Sequence, residues 1–167
     1  MQSTLHYLEK LVAFPTVSRD SNLELIDYIA SELDVMGIAS TLIHSEDGRK
    51  ANLWATIGPP DKQGIALSGH TDVVPVEGQN WSSDPFTLTQ RGGNLLGRGS
   101  ADMKGFIAAC LHLAQHAGRR KLHTPLHFAF SYDEEIGCIG VRRMLDMLKA
   151  MPVRPRLCIV GEPTMLQ

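Results

Sequence analysis

Apolar side chains recur at helical spacing at Leu5, Leu8, Leu11 and Val12, and Pro15 closes that segment. A second helix is expected around Leu25, Ile26, Ile29, Leu33 and Met36, opened by a capping box of Ser21 and Glu24 and ended at Gly37. Short strands follow over Ile38–Ile43, Ala51–Ile57 and Ile65–Ser68, with a turn at Gly58-Pro59-Pro60-Asp61. Glu77–Arg98 is polar and reads as a loop holding a short hairpin around Phe86–Thr89 and Leu95–Leu96. Phe106, Cys110, Leu113, Ala114 and Ala117 mark a helix from about Asp102 to Gly118. Leu126–Ser131 reads as a buried strand, and Ile139–Met151 as a helix with Val141, Leu145 and Leu148 inward. Leu157–Val160 is an apolar run expected to form another buried strand. Strands alternating with helices predict an α/β fold, a three-layer sandwich around a mixed, largely parallel sheet.

Composition narrows the class. The 167 residues suffice for one ordinary domain, and 43% apolar with 20% charged residues exclude disorder and a disulfide scaffold. Sixteen basic against eighteen acidic residues give a net charge of −2, so nucleic acid and anionic membranes are not expected partners. Cys110, Cys138 and Cys158 contain no C-x-x-C pair, which argues against a disulfide framework or zinc knuckle and for a reducing cytoplasm. The first residues lack a signal-peptide pattern, and no apolar run approaches the ~20 residues of a membrane span.

The chemistry gathers just after strands, where α/β sheets place ligands. His70 and Asp72 lie two apart, on one side of an extended segment, and a metal-bound imidazole usually gives its other N–H to a carboxylate, for which Asp72 is the candidate. Glu134 and Glu135 are adjacent carboxylates that repel each other unless a cation is near, and one of them could serve as general base. Asp102 opens a helix and Glu162 follows the last strand. Singly, each has a plain structural reading: a turn acid, an N-cap, a surface imidazole. Jointly, four such clusters at strand or helix ends point to a metal site. His112 and His116 stand i, i+4 without the Glu of H-E-x-x-H, and His123 and His127 flank a strand start; both pairs read as structural. There is no dinucleotide fingerprint, phosphate loop or G-x-S-x-G elbow.

Phe14-Pro15-Thr16-Val17-Ser18-Arg19-Asp20-Ser21-Asn22-Leu23, Ser68-Gly69-His70-Thr71-Asp72-Val73-Val74-Pro75, Gly97-Arg98-Gly99-Ser100-Ala101-Asp102-Met103-Lys104-Gly105-Phe106, Ser131-Tyr132-Asp133-Glu134-Glu135-Ile136-Gly137-Cys138 and Gly161-Glu162-Pro163-Thr164 occur in that order. On these segments the chain resembles the co-catalytic zinc aminoacylase and carboxypeptidase-G superfamily, and within it the acetylornithine deacetylase family. Succinyl-diaminopimelate desuccinylases and other N-acyl amino acid hydrolases share most of the motifs and remain alternatives, as does a non-catalytic remnant of the fold.

The resemblance implies a zinc-exopeptidase-like fold and removal of the acetyl group from N2-acetyl-L-ornithine, in arginine biosynthesis. It implies His70 and Glu162 on one metal, Glu135 on the other, Asp102 bridging both, Asp72 orienting His70 and Glu134 as general base. Two Zn2+ ions per intact site are expected, with Co2+ or Mn2+ possible. The partner is a small N-acyl amino acid, and the intact enzyme is expected to be a homodimer. The family's further metal-binding His, from the C-terminal half of the catalytic domain, has no match here, nor does the inserted lid or dimerisation domain. Residues 1–167 therefore read as the N-terminal part of the catalytic domain, with at most one well-formed metal position and little hydrolysis of its own.

Overall fold

The computed structural model describes residues 2–164. Helix α1 spans Thr4–Val12, capped by Ser3, whose hydroxyl accepts the His6 N–H at 3.2 Å. Tyr7, Leu8, Leu11 and Val12 are its buried face, whereas Leu5 of the expected stripe is half exposed and Tyr7 takes its place. Helix α2 spans Leu23–Val35 and buries Leu25, Ile26, Ile29 and Leu33 as expected. The Ser21–Glu24 capping box does not form. Asn22 is the N-cap, and its side chain is drawn into tertiary bonds with the Ala51 N–H and carbonyl and the Thr71 hydroxyl. The Ser21 hydroxyl donates to the Arg49 carbonyl at 2.6 Å. Local capping loses here to contacts that fix α2 against the sheet.

Strands β1 (Ser40–His44), β2 (Ala51–Ile57) and β3 (Ile65–His70) follow, then the small hairpin β4 (Thr89–Arg91) and β5 (Asn94–Leu96). A single wide turn over Ser100–Lys104 leads into α3 (Gly105–Ala117), and β6 (Leu126–Ser131), α4 (Val141–Ala150) and β7 (Leu157–Val160) complete the described chain. The main sheet runs β1-β2-β6-β3-β7. It is mixed, and its pairings divide evenly: β1–β2 and β2–β6 are antiparallel, β6–β3 and β3–β7 parallel.

Strand alternation sorts the side chains onto two faces. Leu53, Ala55 and Ile57 of β2, Phe128 and Phe130 of β6 and Leu67 of β3 meet α1, α2 and α3 in the larger core. Trp54, Ala66 and Ala129 point the other way and meet Met144 of α4. The result is three layers, helices–sheet–helix. Leu145 of α4 is 45% exposed where an inward position was expected, and Met144 is the residue that α4 buries. Leu148, also expected inward, does pack against this cluster; Met144 and Leu145 are adjacent apolar residues, and helical spacing alone does not decide which of them faces the sheet. Strand β7 is exposed along its whole length, contrary to the buried strand expected. Among the described residues it pairs only with β3, so one edge and much of its surface meet solvent.

The chain passes from β3 to β6 through α3 on one face and from β6 to β7 through α4 on the other. The loops leaving β3 and β6 therefore diverge to opposite faces, which opens a crevice beyond their carboxyl ends.

Candidate metal centre

His70 is the last residue of β3 and is 1% exposed. Its Nδ1 donates to the Asp72 carbonyl at 2.8 Å, which fixes the tautomer and turns Nε2 toward the crevice. The Asp72 carboxylate lies farther from Nδ1, at 3.6 Å, so it is the Asp72 main chain that orients the ring. Around Nε2 stand Asp102 Oδ1 at 2.9 Å, Glu162 Oε1 at 3.4 Å and Glu134 Oε2 at 3.8 Å. Ligand atoms of His70, Asp102 and Glu162 all lie within 4.8 Å of one another. Carboxylates from three separate segments thus converge on one buried imidazole.

Each arrives by a different device. Gly99, at φ +77°, starts the wide turn before α3; a Cβ there would meet Val73 Cγ1 at 2.7 Å. Asp102 within that turn is extended (φ −118°, ψ 95°) and is not the N-cap of α3; the Asp102–Met103 peptide is cis. Met103 packs under β3, where its sulfur accepts the His70 N–H at 3.2 Å. Glu134 and Glu135 follow β6 through Asp133, which takes a left-handed conformation (φ +55°). Their amides are held at 3.0 and 3.3 Å by the Asp72 carboxylate, which also accepts the Ser18 hydroxyl at 2.6 Å. Asp72 therefore ties the β3 loop to the β6 loop.

Glu162 follows β7, whose ladder continues through the Gly161 N–H to the Ser68 carbonyl at 3.1 Å. Gly161 lies flat on the Phe106 ring: a Cβ there would fall 2.0 Å from Cγ. Gly161→Ala should destabilise the chain by about 1–3 kcal/mol. Urea unfolding measures this, and an unchanged midpoint would show that Phe106 swings aside freely.

Burial and the crowding of like charges around His70 shift protonation within the cluster. Burial opposes charge on His70, but the Asp72 carboxylate and carbonyl and the hydrogen bond to Asp102 outweigh it and raise its pKa to about 9. Burial, followed by repulsion from Asp102, pushes the Glu135 carboxyl above its ordinary range. Burial also raises that of Glu162, with His70 partly opposing and Asp102 adding to the rise. Asp72 is lowered: burial works against its charge, but bonds from His70, Ser18 and the Glu134 amide prevail.

Lys104, beneath the centre, is fully buried and donates to the Phe14 carbonyl at 2.7 Å. Burial drives its pKa from 10.5 down to about 7. Between those values the unfolded chain holds a proton that the folded chain lacks, so the Lys104 contribution to stability rises with pH, by up to about 1.4 kcal/mol per unit, against the opposite trend from His70 below about pH 9. Lys104→Met should remove this contribution and make the slope of stability against pH more negative. Urea unfolding at a series of pH values tests it, and equal slopes in both proteins would refute it.

Sequence reasoning brought His70, Asp72, Asp102, Glu134, Glu135 and Glu162 to one crevice, and the structure places them there. It missed Ser18, Met103 and Lys50, whose Nζ pairs with Asp133 at 2.5 Å. Ser18 and Met103 sit within the quoted motifs; Lys50 carries no local signal. His112 and His116 stand on α3 with Nε2 atoms 3.3 Å apart, and His112 Nδ1 bonds the Gln2 carbonyl; among the described residues no third ligand joins them. His127 bonds Thr56 and stacks on Trp54. No helix among the described residues is long and apolar enough to cross a membrane.

Residues 66–167 match the model of peptidase family M20/M25/M40. The chain is 37% identical to an acetylornithine deacetylase of Pasteurella multocida over 99% of its length, which is 44% of that protein. It is equally identical to one of Proteus mirabilis, over 95% of its length and 42% of the relative. The chain thus spans less than half the length of these curated relatives. In fold it is similar to human carnosine dipeptidase 1 (TM-score 0.84, 22% identity, 98% of this chain and 39% of that one). It is likewise similar to the M20 metallo-carboxypeptidase Sso-CP2 of Sulfolobus solfataricus (TM-score 0.80, 22% identity, 96% and 37%).

Proposed function

The chain belongs to peptidase family M20/M25/M40, and on that premise we propose that it forms the metal-binding, water-activating part of an amidohydrolase that deacetylates N2-acetyl-L-ornithine. The observation that carries the chemistry is the convergence of Asp102, Glu162 and Glu134 on His70 Nε2. The similarity to acetylornithine deacetylases supports the substrate.

The donor set fits a divalent ion. One imidazole nitrogen, aimed by the Nδ1 hydrogen bond, faces carboxylates that share a crowded negative site. His70, Asp102 and Glu162 would hold one ion, with Asp102 shared and Glu135 on the side of a second. Nitrogen with oxygen donors suits Zn2+, and also Co2+ or Mn2+. When bound, such ions acidify a water and polarise the amide carbonyl.

The protein's own groups do the rest. Glu134 reaches into the crevice, about a third exposed and aimed at the same point as Nε2. It takes the proton of the attacking water and delivers it to the departing amine, yielding acetate and ornithine. Asp72, through the Glu134 and Glu135 amides, keeps both carboxylates at the mouth of β3.

In the 167-residue chain alone we expect uptake of about one Co2+ or Zn2+ and hydrolysis far below that of a full-length relative. A panel of N-acetylornithine, N-succinyl-diaminopimelate and other N-acyl amino acids, run in the longest available form of the protein, tests the substrate. Preference for the succinyl compound would overturn the deacetylase assignment. A chain that binds no divalent ion would overturn the metal reading and leave a fold without the chemistry.

A further inference from the structure

Lys50 stands outside every motif that marks the centre. It ends the tight turn between β1 and β2, where the Ser45 N–H donates to the Lys50 carbonyl at 2.8 Å and the Lys50 N–H to Ser45 Oγ at 2.9 Å. Gly48, at φ +71°, lets the turn close. The Ser21 hydroxyl docks the same turn through the Arg49 carbonyl. From this anchored base the Lys50 stem runs past the Tyr132 ring, with Nζ 6.0 Å from its centroid. The ammonium donates to the Ser18 carbonyl and to Asp133 Oδ1, and both side chains of the ion pair are largely buried.

Its two acceptors belong to the two segments that Asp72 joins. Ser18 donates to the Asp72 carboxylate, and Asp133 directly precedes the Glu134 and Glu135 amides that the same carboxylate accepts. Asp133 holds its left-handed conformation where most residues would resist it, and its carboxylate is buried with Lys50 as its charged partner. We propose that Lys50 is a positioning residue for Glu134 and Glu135: its ammonium clamps the Asp133 turn to the Ser18 segment, so that both amides meet Asp72. Without the ammonium, a buried carboxylate would lack its counter-charge and turn to water, taking the strained turn with it. What Glu134 and Glu135 then do rests on the function proposed above; how they are placed does not.

Amide hydrogen exchange on the 167-residue chain tests the clamp. Lys50→Met keeps the stem and removes the charge. It should speed exchange at the Glu134 and Glu135 amides by about tenfold or more, the scale of a lost charge-assisted bond, with α3 amides unchanged. Lys50→Arg should restore most of the protection. Asp133→Asn should act like Lys50→Met, and the double variant should be no worse than either single one. Co2+ uptake should weaken in parallel. Unchanged exchange at the two amides, or acceleration spread evenly over α3 and β6, would overturn the proposal, the latter showing a mere loss of global stability. A wild-type chain that takes up no Co2+ would sink the metal reading and leave the exchange comparison to decide the role of Lys50.

Discussion

His70→Ala is expected to strip the centre of its ion. Among the described residues the imidazole is the one nitrogen donor of the cluster, and Asp102, Glu134 and Glu162 gather around it. Losing a group that only orients a ligand typically weakens metal binding ~10–100-fold, so losing the ligand itself should cost at least about a hundredfold. Metal analysis after dialysis should find occupancy near zero, and calorimetric titration should give the affinity. His70 lies against the core, so circular dichroism must show the variant folded for the result to count. Full occupancy in a folded variant would remove His70 from the ligand set. The proton on His70 adds a signature. With its pKa at about 9 in the ion-free chain, uptake at neutral pH must expel a proton, so wild-type affinity should climb with pH until about that value.

Glu134→Gln separates chemistry from binding. The amide keeps the shape of the side chain and its approach to the Cys138 thiol, which donates to Glu134 Oε1 at 3.3 Å, but it cannot accept the proton of a water. On the proposed deacetylation, assayed in the longest available form of the protein, turnover should fall by roughly 10²–10⁴-fold, the usual worth of a general base. Metal content should hold, since His70, Asp102 and Glu162 remain. Loss of metal along with activity would make Glu134 a ligand, and retained activity would end its role as base.

The sequence disclosed the centre more readily than the scaffold that aims it. Strands β2 and β6 were legible because their apolar runs begin and end at turn formers. The candidate ligands were legible because each lies within four residues of a strand end or in the turn that leads into a helix. The hidden parts are those whose role depends on distant partners. Lys50 and Asp133 lie far apart in the chain, and nothing near either announces the other. The Ser21 box was locally plausible and lost to bonds with Arg49 and Ala51 that no local pattern contains. On α4 the expected Leu148 does pack toward Trp54 and Ala129, but of the adjacent Met144 and Leu145 only the tertiary contact selects Met144. Strand β7 reads as buried from its apolar residues, but burial depends on what flanks a strand, and only β3 flanks it among the described residues.

That lone flank sets how the centre would exchange its ion. His70 is rooted inside the sheet and Asp102 in a turn packed on Met103, whereas Glu162 follows a strand that, among the described residues, is paired along one side only. Edge fraying costs far less free energy than global unfolding. Each time β7 peels back, the ion would be left on two ligands. The rate of release would then follow the opening of one short strand, and a denaturant too dilute to unfold the protein would still hasten it.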